Sequence, residues 1–309
     1  MSHMTIKHLV ITGGGPSGII SYGAIKKLHE LGAWNFNDLK TIYATSIGGF
    51  IGFLITMNFA WDIIDDYIIE RPWSNAFDSL KLDILEIIYN KGIDGEKVFS
   101  ICTKPILTAK GLSADITLKQ LYDVTHIELC LATVDLNTHD GFVSEIISYK
   151  SYPDMTLNCA LACTSAVPMI FKPIFYGNKC YVDGGLTNNF PLKLCIDQTE
   201  CQASEVLSFV NNSTTPHIII NKTDSIVEYA RRIIVKLHNK LDETSHKWPA
   251  ISNIIDLKAD DVIDITTWYG FLQHKEQRKT LLDRGELAGT SFFNLNFHQE
   301  TAEDSPCSV

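Results

Sequence analysis

The sequence predicts an α/β fold: a central, mostly parallel sheet between layers of helices, a three-layer α/β/α arrangement. Two strand–loop–helix units near the start carry that expectation. His8-Leu9-Val10-Ile11-Thr12 is a short apolar run ending at Gly13. Ile19 to Leu31 follows as a helix, with Ile20, Ala24, Leu28 and Leu31 on one face and Gly32 as its stop. Thr41-Ile42-Tyr43-Ala44-Thr45 is a second apolar run, and Ile47 to Met57 a helix apolar nearly all round, which implies burial on every side. Strand, helix and strand in succession pack back as a parallel pair. The third observation is composition. The chain has 309 residues, 45% apolar and 20% charged, enough to bury a large core and too apolar for a disordered chain.

The remaining elements follow in order. Trp61 to Asp123 reads as mostly helical, with Leu80, Ile84, Ile87 and Ile88 marking a helix over Ser79 to Tyr89, and Thr117 capping Leu118 to Tyr122. Ile127 to Val134 and Phe142 to Tyr149 form a hairpin-like pair around Asn137 to Gly141. Asp154 caps a helix over Met155 to Thr164, and Pro168 closes it. Ile174 to Tyr176 and Lys179 to Val182 make a second hairpin turning at Gly177-Asn178, which delivers Asp183-Gly184-Gly185 at a strand end. His217 to Asn221 is expected as a strand, Ser225 to Leu241 as an amphipathic helix, and Lys275 to Leu287 as the final helix. A single domain over residues 4–309 is expected, with a helical C-terminal part (222–300) and a loose tail (303–309).

A net charge of −10 argues against nucleic-acid binding, which needs a concentrated basic surface, and against broad attraction to anionic membranes. The eight cysteines include no Cys-x-x-Cys pair and no zinc-ligand spacing, and the acidic residues show no calcium-loop pattern, so no metal or cofactor is expected. The chain opens with no signal-peptide pattern, and its longest apolar run, Ile47 to Ala60, is too short to span a bilayer. Met1-Ser2-His3 is read as a cloning remnant before Met4. These features point to a soluble cytoplasmic protein.

Chemistry is carried by the two loops. The glycine-rich stretch Gly13-Gly14-Gly15-Pro16-Ser17-Gly18 can present backbone N–H groups to an anion, and Ser46 sits on a sharp strand-to-helix turn. That turn also brings the Ile47 N–H, at a helix N-terminus, toward a reacting carbonyl. Gly13-x-Gly15-x-x-Gly18 also fits a dinucleotide fingerprint. That reading wants an acidic residue at the end of the second strand. Asp38 lies before that strand, and the strand ends at Ala44-Thr45-Ser46.

Five motifs in order resemble the patatin-like phospholipases: Gly13 to Gly18; Ala44-Thr45-Ser46-Ile47-Gly48; Ala162 to Pro168 with Phe171-Lys172-Pro173; Asp183-Gly184-Gly185; and its continuation through Asn188-Asn189-Phe190-Pro191. The resemblance covers about residues 7–194. It implies a patatin-like fold and a lipid acyl hydrolase that cleaves fatty-acyl esters of phospholipids or related lipids. It implies Ser46 as nucleophile and Asp183 as its direct base, a dyad without histidine. The amides of Gly13, Gly14, Gly15 and Ile47 would form the oxyanion hole. Gly18, Ala44, Gly48, Gly184 and Gly185 support the motifs. An unperturbed Asp is a weak base for serine, so burial must raise its pKa or alignment must be tight. Two positions depart from the family pattern. Ala44 replaces a glycine, and Ser17 replaces the usual Arg or Lys, which removes a cation while leaving the backbone donors. An acyltransferase of the same fold and a non-catalytic lipid-binding module are the alternatives. Transient contact with a membrane surface is expected. His217, His238, His246, His274 and His298 follow Asp183 without a clear strand-end turn, so no catalytic histidine is expected. The Ser225 to Leu241 helix, with Arg231, Arg232, Lys236 and Lys240, is read as a core-facing stripe with a solvated basic side.

Overall fold

A computed structural model describes residues 5–77, 80, 83–212, 219–224, 226, 228, 229, 232, 233, 236, 251–259 and 270–297. Eight strands form one sheet: β1 (His8–Ile11), β2 (Thr41–Thr45), β3 (Glu128–Asp135), β4 (Val143–Ile147), β5 (Ile174–Tyr176), β6 (Lys179–Asp183), β7 (Val206–Asn212) and β8 (Ile254–Lys258). Their order is β5-β6-β3-β2-β1-β7-β8, with β4 also paired to β3. The β3–β2–β1–β7–β8 run is parallel, and the hairpin strands β4, β5 and β6 pair antiparallel.

Strand residues alternate between two apolar clusters, as the two-residue period requires. Leu9, Ile11, Ile42, Ala44, Leu129, Leu131, Leu207 and Phe209 face the larger core. Val10, Tyr43, Cys130, Ala132 and Val210 face the smaller one, which Phe190, Leu192 and Cys195 cover. The helices are α1 (Gly18–Glu30), α2 (Ile47–Thr56), α3 (Trp61–Ile69), α4 (Trp73–Phe77), α5 (Ile84–Asn90), α6 (Gly95–Ala109), α7 (Leu118–Thr125), α8 (Leu157–Thr164), α9 (Leu192–Thr199) and α10 (Lys275–Phe297). The layers are unequal. The larger core draws on α1, α2, α6 and α8, and the smaller one on α9.

Closest helix packing joins α1 to α10. A Cβ on Gly23 would lie 2.4 Å from the Leu282 carbonyl oxygen, and one on Gly285 2.1 Å from that of Ile20. Beside this crossing, the nearly buried Lys26 ammonium pairs with Asp65 (2.5 Å) and Glu286 (2.7 Å), and the Tyr22 hydroxyl donates to Asp65 (2.8 Å).

Several expectations are corrected. The cap of α8 is Thr156, whose side chain accepts from the Cys159 N–H, and not Asp154. An isolated bridge between Thr117 and Thr156 fixes that start. The helix expected from Ser79 begins at Ile84, where Asp83 caps it; residues 78, 79, 81 and 82 lie outside the described residues. Residues 219–221 are not a strand, and 217 and 218 lie outside the described residues. Strands β7 and β8 and helix α9 were not anticipated, and α10 runs ten residues past Leu287. Of the expected 225–241 helix, residues 226, 228, 229, 232, 233 and 236 are described and helical. The rest, including Arg231, His238 and Lys240, lies outside the described residues, as do His246, His298 and the 303–309 tail.

Candidate active site

Sheet register brings the two predicted side chains together. On one edge of β3, β2 pairs as far as Thr45 opposite Ala132. β6 pairs with the next positions, Asp183 opposite Thr133. β4 overlaps both stretches of β3 and so occupies its other edge. The chain leaving β2 at Ser46 therefore meets the chain leaving β6 at Asp183, end to end. Asp38, the carboxylate required by a dinucleotide site, is in an exposed turn hydrogen-bonded to Asn35.

Ser46 has φ 53° and ψ −127°, a conformation that costs a non-glycine residue about 1–3 kcal/mol. Its surroundings hold it there. The Ser46 N–H donates to Thr164 Oγ1 at 2.9 Å, and the buried Thr164 hydroxyl donates to the Ala132 carbonyl. Gly48 lets α2 close onto β1, since a Cβ there would lie 2.7 Å from the Ile11 carbonyl oxygen. Ala44 is fully buried in β2 with its methyl in the larger core, so the sheet accommodates this departure from glycine.

Asp183 is 5% exposed. Its Oδ1 accepts the Gly185 N–H at 2.6 Å, and its backbone N–H donates to the Ala166 carbonyl at 3.1 Å. Burial pushes its pKa up to about 6, against the smaller opposing pulls of the Gly185 N–H and the Ser46 hydroxyl. Ser46 acts here without closing a bond of normal geometry. Asp183 Oδ2 is one of three buried side-chain oxygens among the described residues that no donor reaches. Gly184 is required by contact, because a Cβ there would lie 2.3 Å from the Ala132 carbonyl oxygen.

The glycine loop lies against this pair. A Cβ on Gly13 would come within 3.1 Å of the Ser46 Cβ, and one on Gly18 would strike Ile47. Gly14 and Gly15 have φ 147° and 57°, which favour glycine. Of the four expected donor amides, that of Gly13 already has a partner. The Gly13 N–H donates to Asn189 Oδ1 at 3.1 Å, which ties the glycine loop to the acidic loop. The amides of Gly14, Gly15 and Ile47 make no hydrogen bond among the described residues. Ser17, in the position of the family's cation, is buried, and its hydroxyl donates to the Gly14 carbonyl at 2.9 Å. It braces the turn from inside.

Sequence reasoning missed Thr164, although it lies within the quoted small-residue stretch, and Asn211 at the end of β7. The Asn211 N–H donates to Thr12 Oγ1 (2.9 Å) and its side-chain amide donates to Ser21 on α1 (3.1 Å) behind Gly14. Only a polar residue closing an apolar element, Thr164 at the end of α8 and Asn211 near the end of β7, could have marked them. Among the described residues, no group of three or more His, Cys, Asp or Glu side chains could hold a metal, and no helix is long and apolar enough to cross a membrane.

A protein of Invertebrate iridescent virus 6 named "Probable lipid hydrolase" is 24% identical over 288 residues, covering 91% of this chain and 86% of the viral one. An uncharacterised protein of Acanthamoeba polyphaga mimivirus is 24% identical over 203 residues, 65% of each chain. The crystal structure of VipD from Legionella pneumophila superposes with a TM-score of 0.54 at 16% identity, covering 94% of this chain and 67% of VipD, and shares the fold. The family model for patatin-like phospholipase matches residues 9–196, and the chain belongs to that family.

Proposed function

We propose that the chain hydrolyses fatty-acyl esters of phospholipids or related lipids, with Ser46 as nucleophile and Asp183 as general base. The observation that carries this reading is the end-to-end placement of β2 and β6 on β3. It sets a strained serine beside a buried carboxylate with one unpartnered oxygen. Asp183 Oδ2 takes the Ser46 proton as Oγ attacks the ester carbonyl. The tetrahedral oxyanion faces the amides of Gly14, Gly15 and Ile47, and the α2 N-terminus adds its positive end. Collapse expels the alcohol, which receives the proton from Asp183. Water then attacks the acyl-enzyme, its proton passes by way of Asp183, and Ser46 and the fatty acid are released. A pKa of about 6 suits the carboxyl to this work, since it is ionised at neutral pH and more basic than an ordinary aspartate.

The test is hydrolysis of short-chain p-nitrophenyl esters together with labelling by a serine-reactive fluorophosphonate. Ser46→Ala is expected to abolish both. Asp183→Asn is expected to lower turnover by at least ~10³-fold, as loss of a catalytic base does. Full activity in either variant would end the assignment. Transfer of the acyl group to an added lipid alcohol in preference to water would make the protein an acyltransferase.

A further inference from the structure

Helix α5 turns an apolar face to water. Leu85, Ile88 and Tyr89 share one face by their spacing, and they are 78%, 70% and 84% exposed. The opposite side, with Glu86, Ile87 and Asn90, lines a cavity of about 130 Å³ against Asp94, Lys97 and Lys172. A helix on a water-facing surface normally does the reverse. Its ends leave little freedom to roll. Asp83 accepts the N–H groups of Leu85 (2.8 Å) and Glu86 (3.0 Å), and Lys91 closes the other end in the left-handed conformation with Gly92 N–H bonded to the Ile87 carbonyl (2.8 Å).

A second element adds to the same face. Phe175 on β5 is 65% exposed, and it lines, with Tyr89, a pocket of about 510 Å³ that also holds Lys91, Glu96 and Lys172. Neither cavity is lined by Ser46 or Asp183. The patch is nevertheless continuous with the site through the chain. Ala166 holds the Asp183 N–H, Ile170 to Lys172 a few residues on pair with Ile93, and β5 turns directly into β6, which ends at Asp183.

We propose that Leu85, Ile88, Tyr89 and Phe175 form the surface by which the protein docks on a zwitterionic phospholipid bilayer. This rests on the lipid-hydrolase reading and names where that lipid is met. Aliphatic side chains and a tyrosine on one narrow face suit the boundary between headgroups and acyl chains. Charge selects the kind of bilayer. The pocket between Tyr89 and Phe175 carries Lys91, which has no ion pair among the described residues, alongside Glu96 and an Asp94-paired Lys172. These mixed charges match a phosphate and an ammonium on one headgroup. A net charge of −10 opposes a strongly anionic surface.

The experiment is flotation of the Ser46→Ala protein with phosphatidylcholine vesicles, with and without 30% phosphatidylserine. The expected result is binding to phosphatidylcholine that weakens when phosphatidylserine is added. Leu85→Glu combined with Tyr89→Glu should lower vesicle binding at least tenfold. Phe175→Ser, on a separate hairpin, should lower it severalfold. The same surface variants, in the Ser46 background, should hydrolyse a water-soluble short-chain ester at the unchanged rate. Undiminished vesicle binding by all surface variants overturns the proposal. So does a parent protein that ignores vesicles and self-associates through this face. If vesicle binding behaves as expected while the short-chain ester is never cleaved, the docking surface stands and the catalytic reading falls.

Discussion

At the residue scale, Asp183, the proposed general base, bears on stability. Its carboxyl titrates at about 6 in the folded chain and at ~3.9 when unfolded. The folded state therefore binds more protons between these values. Stability falls as pH rises from about 4 to about 6 and stays lower above. At 1.36 kcal/mol per pH unit, the buried carboxylate costs about 3 kcal/mol at neutral pH relative to a pH well below 4. Asp183→Asn keeps the Oδ1 acceptor for Gly185 and removes the charge. Thermal denaturation should show the variant melting higher than the parent at pH 7.5, with the difference vanishing at pH 4. Equal differences at both values would mean that the carboxylate is not held ionised against its surroundings. In the parent, kcat/KM for a soluble ester should rise through about pH 6 to a plateau, because the proposed base works only when ionised. Ser46 and Asp183 are legible in the sequence through five motifs in order that resemble the patatin-like phospholipases, since a serine after an apolar strand or an Asp-Gly turn is too common to mark chemistry alone. Their burial and the unpartnered Oδ2 arise from distant segments and have no local mark.

At the element scale, the elbow between β2 and α2 depends on α8. Thr164→Val keeps the shape of the side chain and leaves the Ser46 N–H without its acceptor. The expected cost is about 1–3 kcal/mol in chemical denaturation, with a lower kcat. Thr164→Ser should restore both, which a mere packing defect would not allow. Elements with strong internal periodicity or glycine punctuation were legible, from β1 through the β5–β6 hairpin. Those settled by partners were less so. Asp154 and Thr156 are both competent caps, and the bridge to Thr117 chooses the second. Val206 to Asn212 lacks a glycine after it, so nothing in the chain itself announces β7. Around α5, spacing marks Leu80, Ile87 and Ile88 but not which way each faces: Leu80 and Ile87 line a cavity, while Ile88 is exposed beside Leu85 and Tyr89.

Over the whole molecule, the family match ends at residue 196, yet the fold does not. α10 rests on α1, whose N-terminus carries the glycine loop, and the contact depends on Gly23 and Gly285. Gly285→Val would drive a side chain into the Ile20 carbonyl and separate the helices. A loss of at least ~3 kcal/mol in denaturant titration is expected, comparable with large disruptions of a packed core. A titration curve unchanged from the parent would show that α10 is dispensable. The strand that decides the site bears none of the proposed chemistry. β3 serves as a ruler against which two separate strands are measured off, with Thr45 at one graduation and Asp183 at the next. One residue inserted between Ala132 and Thr133 would move the serine and the carboxylate apart by ~3.3 Å and turn later side chains to the opposite face. Drift in the length of this silent strand would therefore extinguish the proposed turnover while Ser46 and Asp183 were both still present in the chain.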